Sequence, residues 1–100
     1  MAVEILALPE IISDPNLRAG RPVIAGTGLR VSDVAALYTF HDYSVADIAA
    51  AHELSLAQVH AALAYYFDHK VQIDDEIRAD DAEIATLREQ QRRDGSSLLP

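Results

Sequence analysis

One hundred residues, half of them apolar and about a quarter charged, suit one small domain with a single core rather than a disordered chain. The chain has no cysteine, which excludes disulfides and thiolate zinc sites, and no apolar run nears the roughly 20 residues that span a bilayer. A formal charge of -8 is the wrong sign for a protein dominated by non-specific phosphate binding, so any nucleic-acid contact must come from a local patch.

The opening "MAVEILALPE" has no basic n-region and meets Glu4 early, so a cytoplasmic, non-membrane protein without a secretory signal is expected. Residues 3–8 and 11–13 are short apolar runs broken by Pro9, and Asp14-Pro15-Asn16 is turn chemistry. Residues 21–25 ("RPVIA") and 29–31 ("LRV") read as two extended runs joined by Gly26-Thr27-Gly28, a hairpin signal. The same glycines do not make a nucleotide loop. The dinucleotide fingerprint needs a third glycine where Val31 stands, and a P-loop needs a lysine, whereas the only lysine is Lys70.

Ser32 is placed to cap a helix over 33–40, with Val34, Leu37 and Tyr38 at helical spacing, and "HDY" (41–43) ends it. Ser44 with Asp47 and Ser55 with Gln58 are two capping-box pairs that open two further helices. In the second of these, Leu56, Val59, Leu63 and Tyr66 form an apolar stripe. Only "ELS" (53–55) separates the two helices, which makes residues 47–63 a helix-turn-helix candidate with Ile48, Ala49, Leu54 and Val59 at its packing positions. Glu53 stands where that pattern usually has glycine. In "AYYFDH" (64–69), Tyr66 is expected inside, with Tyr65 or Phe67 at another chain or the hairpin.

From Val71 to Arg93 nothing breaks a helix, and its apolar stripe is thin: Ile73, Ile77, Ile84 and Leu87. Such a helix suits contact with another chain, and "DGSSLLP" follows as a frayed tail. The expected architecture is therefore mainly α: a small helix-turn-helix, winged-helix-like bundle with a short N-terminal β-hairpin and a long C-terminal helix. Residues 1–70 form the hairpin and trihelical unit, and 71–100 the helix and tail for dimer or partner contact.

No catalytic centre is visible. His41, His52, His60 and His69 have no metal-ligand spacing, and His41-Asp42 lacks the further ligands of a metal phosphohydrolase. The acidic pairs on the last helix read as a solvated face. No cofactor and no metal are expected. The outward face of the second helix-turn-helix helix offers Gln58 and His60 for DNA but no Lys or Arg, so a plain trihelical core and a DNA reader both stay open. Pro15–Ser32 holds Arg18, Arg21 and Arg30 with no acid, the one locally positive stretch.

The order "IISDPNLRAGRPVIAGTGLRVSDVAAL … YSVADIAAAHELSLAQVHAALAYYFDHKVQID" resembles the bacterial family known as domain of unknown function 433, over about residues 11–77. Gly20, Arg21, Pro22, Val23, Ile24, Gly26, Thr27 and Val31 match its first motif, and Ile48, Ala49, Leu63, Tyr65, Tyr66 and His69 its later ones. Where that family has Thr-Arg-Ile-Pro-Val, this chain has Thr27-Gly28-Leu29-Arg30-Val31. The positive charge is thus moved by two residues, on the same face of an extended run. The resemblance implies a VapB-like antitoxin of the helix-turn-helix type: non-enzymatic, homodimeric, paired with a PIN-like ribonuclease toxin, and binding its own promoter DNA in some members. On that expectation Ile77, Ile84, Leu87, Arg88, Arg92 and Arg93 meet the partner, the arginines facing the nuclease carboxylates. The alternative is a dimeric DNA-binding regulator without a toxin, using Arg18, Arg21, Arg30, Gln58 and His60.

Overall fold

The computed structural model describes residues 11–98, so the apolar run 3–8 and Pro9 lie outside the described residues. Strand β1 (Ile11–Ile12) pairs antiparallel with β2 (Val23–Ile24), Ile11 opposite Ile24 and Ile12 opposite Val23. The chain returns between them through an Asp14 turn, whose carboxylate accepts the Asn16 amide at 2.9 Å, and a 3-10 turn at Arg18–Gly20.

The hairpin expected around Gly26-Thr27-Gly28 closes as a tight turn: the Ile24 amide donates to Leu29 O (3.0 Å), and Val23 bridges Arg30. Gly26 supplies the left-handed backbone (φ 78°). The Thr27 hydroxyl donates to Ile24 O and accepts from the Leu29 amide. The Thr27 and Leu29 amides are thereby bonded inside the turn. The second run pairs with β2 only through the isolated Val23–Arg30 bridge, and the two-strand ladder is β1–β2.

Four helices follow: α1 (Val31–Phe40), α2 (Val45–His52), α3 (Leu56–Asp68) and α4 (Lys70–Leu98). Ser32 does not cap α1. The helix starts at Val31, two residues earlier than expected, and Asp33 closes its N-terminus by accepting the Arg30 amide at 3.0 Å. Ser32 sits inside the first turn, buried, its hydroxyl without a hydrogen-bond partner among the described residues. Asp42, in left-handed backbone (φ 57°), ends α1. Both capping boxes form: Ser44 with Asp47, and Ser55 with Gln58, each bonding the other's amide.

Between α2 and α3, Glu53 adopts the left-handed conformation (φ 55°, ψ 42°) that the glycine of this turn normally supplies. Ile48, Val34, Val59, Ala62 and Tyr66 meet Ile24 and Val31 in one core. Leu56 and Tyr38, expected on core stripes, are instead exposed. Leu56 is the first residue of α3, and Tyr38 lies in the last turn of α1, one turn beyond Val34.

The largest departure concerns α4. It is a single 29-residue helix, about 44 Å long, starting directly after His69 and running through Gly95 to Leu98 instead of fraying after Arg93. One glycine costs a helix only about 1 kcal/mol, and the next proline is Pro100. Its first turns belong to the body: Ile73 is fully buried and Ile77 is 5% exposed, both in the core. Beyond Asp80 the helix is an arm, with Ile84 and Leu87 about half exposed. The arm gives the molecule principal extents of 70 × 28 × 25 Å and a radius of gyration of 17.0 Å, against about 13 Å for a compact domain of this length.

Candidate partner-binding site

The arm is held at its root by the arginines that read as the free positive surface. Arg30 lies opposite Val23, so Arg21 is diagonal to it on the same face of the hairpin. Both guanidiniums reach Asp80 of α4. Arg21 Nη1 donates to both Asp80 oxygens (2.8 and 2.9 Å), and Arg30 Nη1 stands 3.5 Å from Asp80 Oδ2. Arg21 Nε approaches Glu76 Oε1 at 3.9 Å. Arg30 also grips Asp33 with two side-chain donors, at 3.1 and 2.8 Å. Arg18 stands 3.7 Å from the same carboxylate and stays 45% exposed.

The electrostatics match the geometry. Burial pushes the Asp33 carboxyl up, but the Arg30 hydrogen bonds and the Arg30 and Arg18 charges outweigh it, so it titrates below the usual carboxylate range. The Asp33 hydrogen bond, working against burial and helped by the charges of Asp33, Asp80 and Glu76, holds the Arg30 proton more firmly than usual. At the other end of the α3–α4 joint, Tyr66 donates to Asp74 (2.8 Å) and Lys70 pairs with Asp74 (2.7 Å). Those bonds keep Asp74 below its ordinary range. Tyr65 stacks on His69, and Phe67 is exposed.

The proposed DNA residues are not brought together. Arg18, Arg21 and Arg30 converge on the α1–α4 side, while Gln58 spends its carboxamide oxygen on the Ser55 amide and His60 is exposed on α3. Val31–His69 contains Asp33, Asp42, Asp47, Glu53 and Asp68 but no Lys or Arg, so the helix-turn-helix surface is negative. The proposed partner residues divide. Ile77 belongs to the core, because it lies on the last turn that α4 lays against the body, and it is not open to a partner. Ile84, Leu87, Arg88, Arg92 and Arg93 are all exposed on the arm. Arg92 and Arg93 lean on Glu89 at 3.5 and 3.6 Å, exposed pairs of little energetic weight. Sequence reasoning missed Glu76 and Asp80. Their signal was helical spacing, since Ile73, Glu76, Ile77 and Asp80 share one face of α4. Among the described residues, no group of three His, Asp or Glu side chains could hold a metal ion, and no helix is long and apolar enough to cross a membrane.

A helix-turn-helix bundle on a two-strand hairpin, carrying a helical arm, defines the class of this protein. The chain belongs to the family described as "Protein of unknown function (DUF433)", whose family model matches residues 11–66, the hairpin through most of α3. The match ends at Tyr66, so α4 lies outside it. No curated protein and no solved structure matches the chain.

Proposed function

We propose that the chain is the antitoxin-like, VapB-like member of a toxin–antitoxin pair, a homodimer that neutralises a PIN-like ribonuclease by protein–protein binding. The observation that carries this reading is the arm: a helix leaving a well-packed body, with Ile84 and Leu87 exposed beside Arg88, Arg92 and Arg93. Half-exposed large aliphatics on a projecting helix are the anchors of helix-in-groove recognition. Guanidiniums fit the clustered carboxylates of a metal-dependent nuclease, because the pairing is bidentate and the guanidinium stays charged.

A purely DNA-binding role fits less well. Phosphate would have to compete with Asp80 and Asp33 for Arg21 and Arg30, and α3 offers no cation. The test is co-expression with the protein of the adjacent reading frame. A chain cut after Glu83 keeps Ile73, Ile77 and Asp80, and so the body, while losing the arm. Full-length protein should capture the neighbour and the cut form should not; equal capture refutes the proposal. A salt-dependent gel shift on upstream DNA, lost in Arg21→Ala, would favour the regulator instead.

A further inference from the structure

The α1–α2 corner presents an apolar and acidic surface that nothing within this chain complements. Phe40, the last residue of α1, is 64% exposed, and Tyr43 is 40% exposed. Beside them lies an open hollow of ≈ 580 Å³ lined by His41, Asp42, Tyr43, Asp47, Ala50 and Ala51. His41 also borders a second hollow of ≈ 310 Å³, whose walls include Leu29, Ala36 and Leu37. The two adjoin at that residue, one aromatic and acidic, the other largely aliphatic.

The backbone of this corner is fixed. The Tyr43 amide donates to Leu37 O at 3.1 Å, and Asp42 makes the reversal in left-handed backbone. The Ser44–Asp47 box sets the start of α2, and hydrogen bonding from Ser44 holds the Asp47 carboxyl below its usual range, so it stays charged. No Lys or Arg lines either hollow, and none occurs from Val31 to His69. Asp33, in the second hollow, is already gripped by Arg30, which leaves the open negative charge at Asp42 and Asp47. The last turn of α1 carries no basic residue either, and its carbonyl end favours a cation.

A segment that fits this surface is apolar and cationic together, since exposed aromatic faces attract cations as carboxylates do. The chain itself does not supply one. Arg18, Arg21 and Arg30 are drawn toward Asp33, Glu76 and Asp80. On the arm, Asp81, Glu83, Glu89 and Asp94 outnumber Arg88, Arg92 and Arg93. We infer that the α1–α2 corner docks an amphipathic, cationic segment of another protein. Its aliphatic side chains lie on Leu29, Ala36 and Leu37, and its Lys or Arg side chains lie beside Phe40, Tyr43, Asp42 and Asp47. Charge complementarity selects this occupant over a second copy, whose approach sets acid against acid. The docking uses neither the arm nor a nuclease, so it stands apart from the proposed function.

The probe is a synthetic amphipathic peptide of leucine and lysine, about 15 residues long so that it forms a helix. Titrated into isotopically labelled full chain at about 0.15 M salt, it should shift the amide resonances of residues 36–52 more than those of α4. Phe40→Ser, and Asp42→Asn, which suits left-handed backbone, should each weaken binding about tenfold with the melting temperature unchanged. Asp81→Asn removes the same charge from an exposed position on α4 and should leave the affinity unchanged. No binding at this salt overturns the inference. Equal effects of Asp42→Asn and Asp81→Asn do so too, because they mean charge attraction without a site. A serine–lysine peptide that binds as tightly means that the apolar walls play no part, which also overturns it. Corner resonances that shift with protein concentration before any peptide is added mean that a second copy fills the corner, and the inference fails.

Discussion

Ile73→Ala and Ile84→Ala remove the same atoms from the same helix, and the structure assigns them very different costs. Ile73 is fully buried in the core, whereas Ile84 is 47% exposed on the arm. Truncating a buried isoleucine loses transfer free energy and leaves a cavity, together about 2–5 kcal/mol. Taking about 3 kcal/mol, and about 4–8 °C per kcal/mol for a domain of this size, the melting temperature should fall by roughly 12–24 °C. Ile84→Ala, with little surface to lose, should change stability by less than about 0.5 kcal/mol. Thermal and urea unfolding followed by circular dichroism at low-micromolar concentration decides the matter. Equal small losses would mean that α4 is not part of the body at its start. Equal large losses would mean that the arm is packed along its whole length.

Arg21→Ala should cost about 1–2 kcal/mol in urea titration, since it removes a two-oxygen contact to Asp80 between groups only about a quarter exposed. Arg92→Ala, whose partner contact is long and solvated, should cost under about 0.5 kcal/mol. The folded Asp33 and Asp74 carboxyls both titrate below their unfolded value, so they stabilise above about pH 4, and that contribution is lost as the pH falls through their lower folded values. Stability measured from pH 7 to 2.5 should therefore decline below about pH 4, and less steeply in Asp33→Asn; a flat profile contradicts the ion cluster. Glu53→Gly should raise the melting temperature by a few degrees, because left-handed backbone costs a residue with a β-carbon about 1 kcal/mol and glycine none; a lower melting temperature would refute the turn geometry.

Local signals in the sequence carried far. The Ser44/Asp47 and Ser55/Gln58 boxes place α2 and α3, because a capping box is a contact between residues three apart. The three-residue connection and the turn at Gly26-Thr27-Gly28 are equally local. What stayed hidden is non-local. Arg21 and Asp80 are 59 residues apart, so nothing along the chain announces that the acid-free stretch is neutralised by α4. Ile77 and Ile84 look alike in a periodic pattern, and only the docking of α4 on α1 and α3 buries one and bares the other. Ser32 and Arg30 compete for the start of α1, and the Asp33 carboxylate decides it. For the candidate site, the exposed arm residues were legible as an under-filled apolar stripe, whereas its anchor was not.

The most direct measurement of the central claim is inhibition of RNA cleavage. The metal-loaded protein of the adjacent reading frame, titrated with the full chain, should lose its ribonuclease activity near stoichiometry, and the chain cut after Glu83 should inhibit at least about a hundredfold less well. Equal inhibition by the two forms, or none by the full chain, would contradict the account.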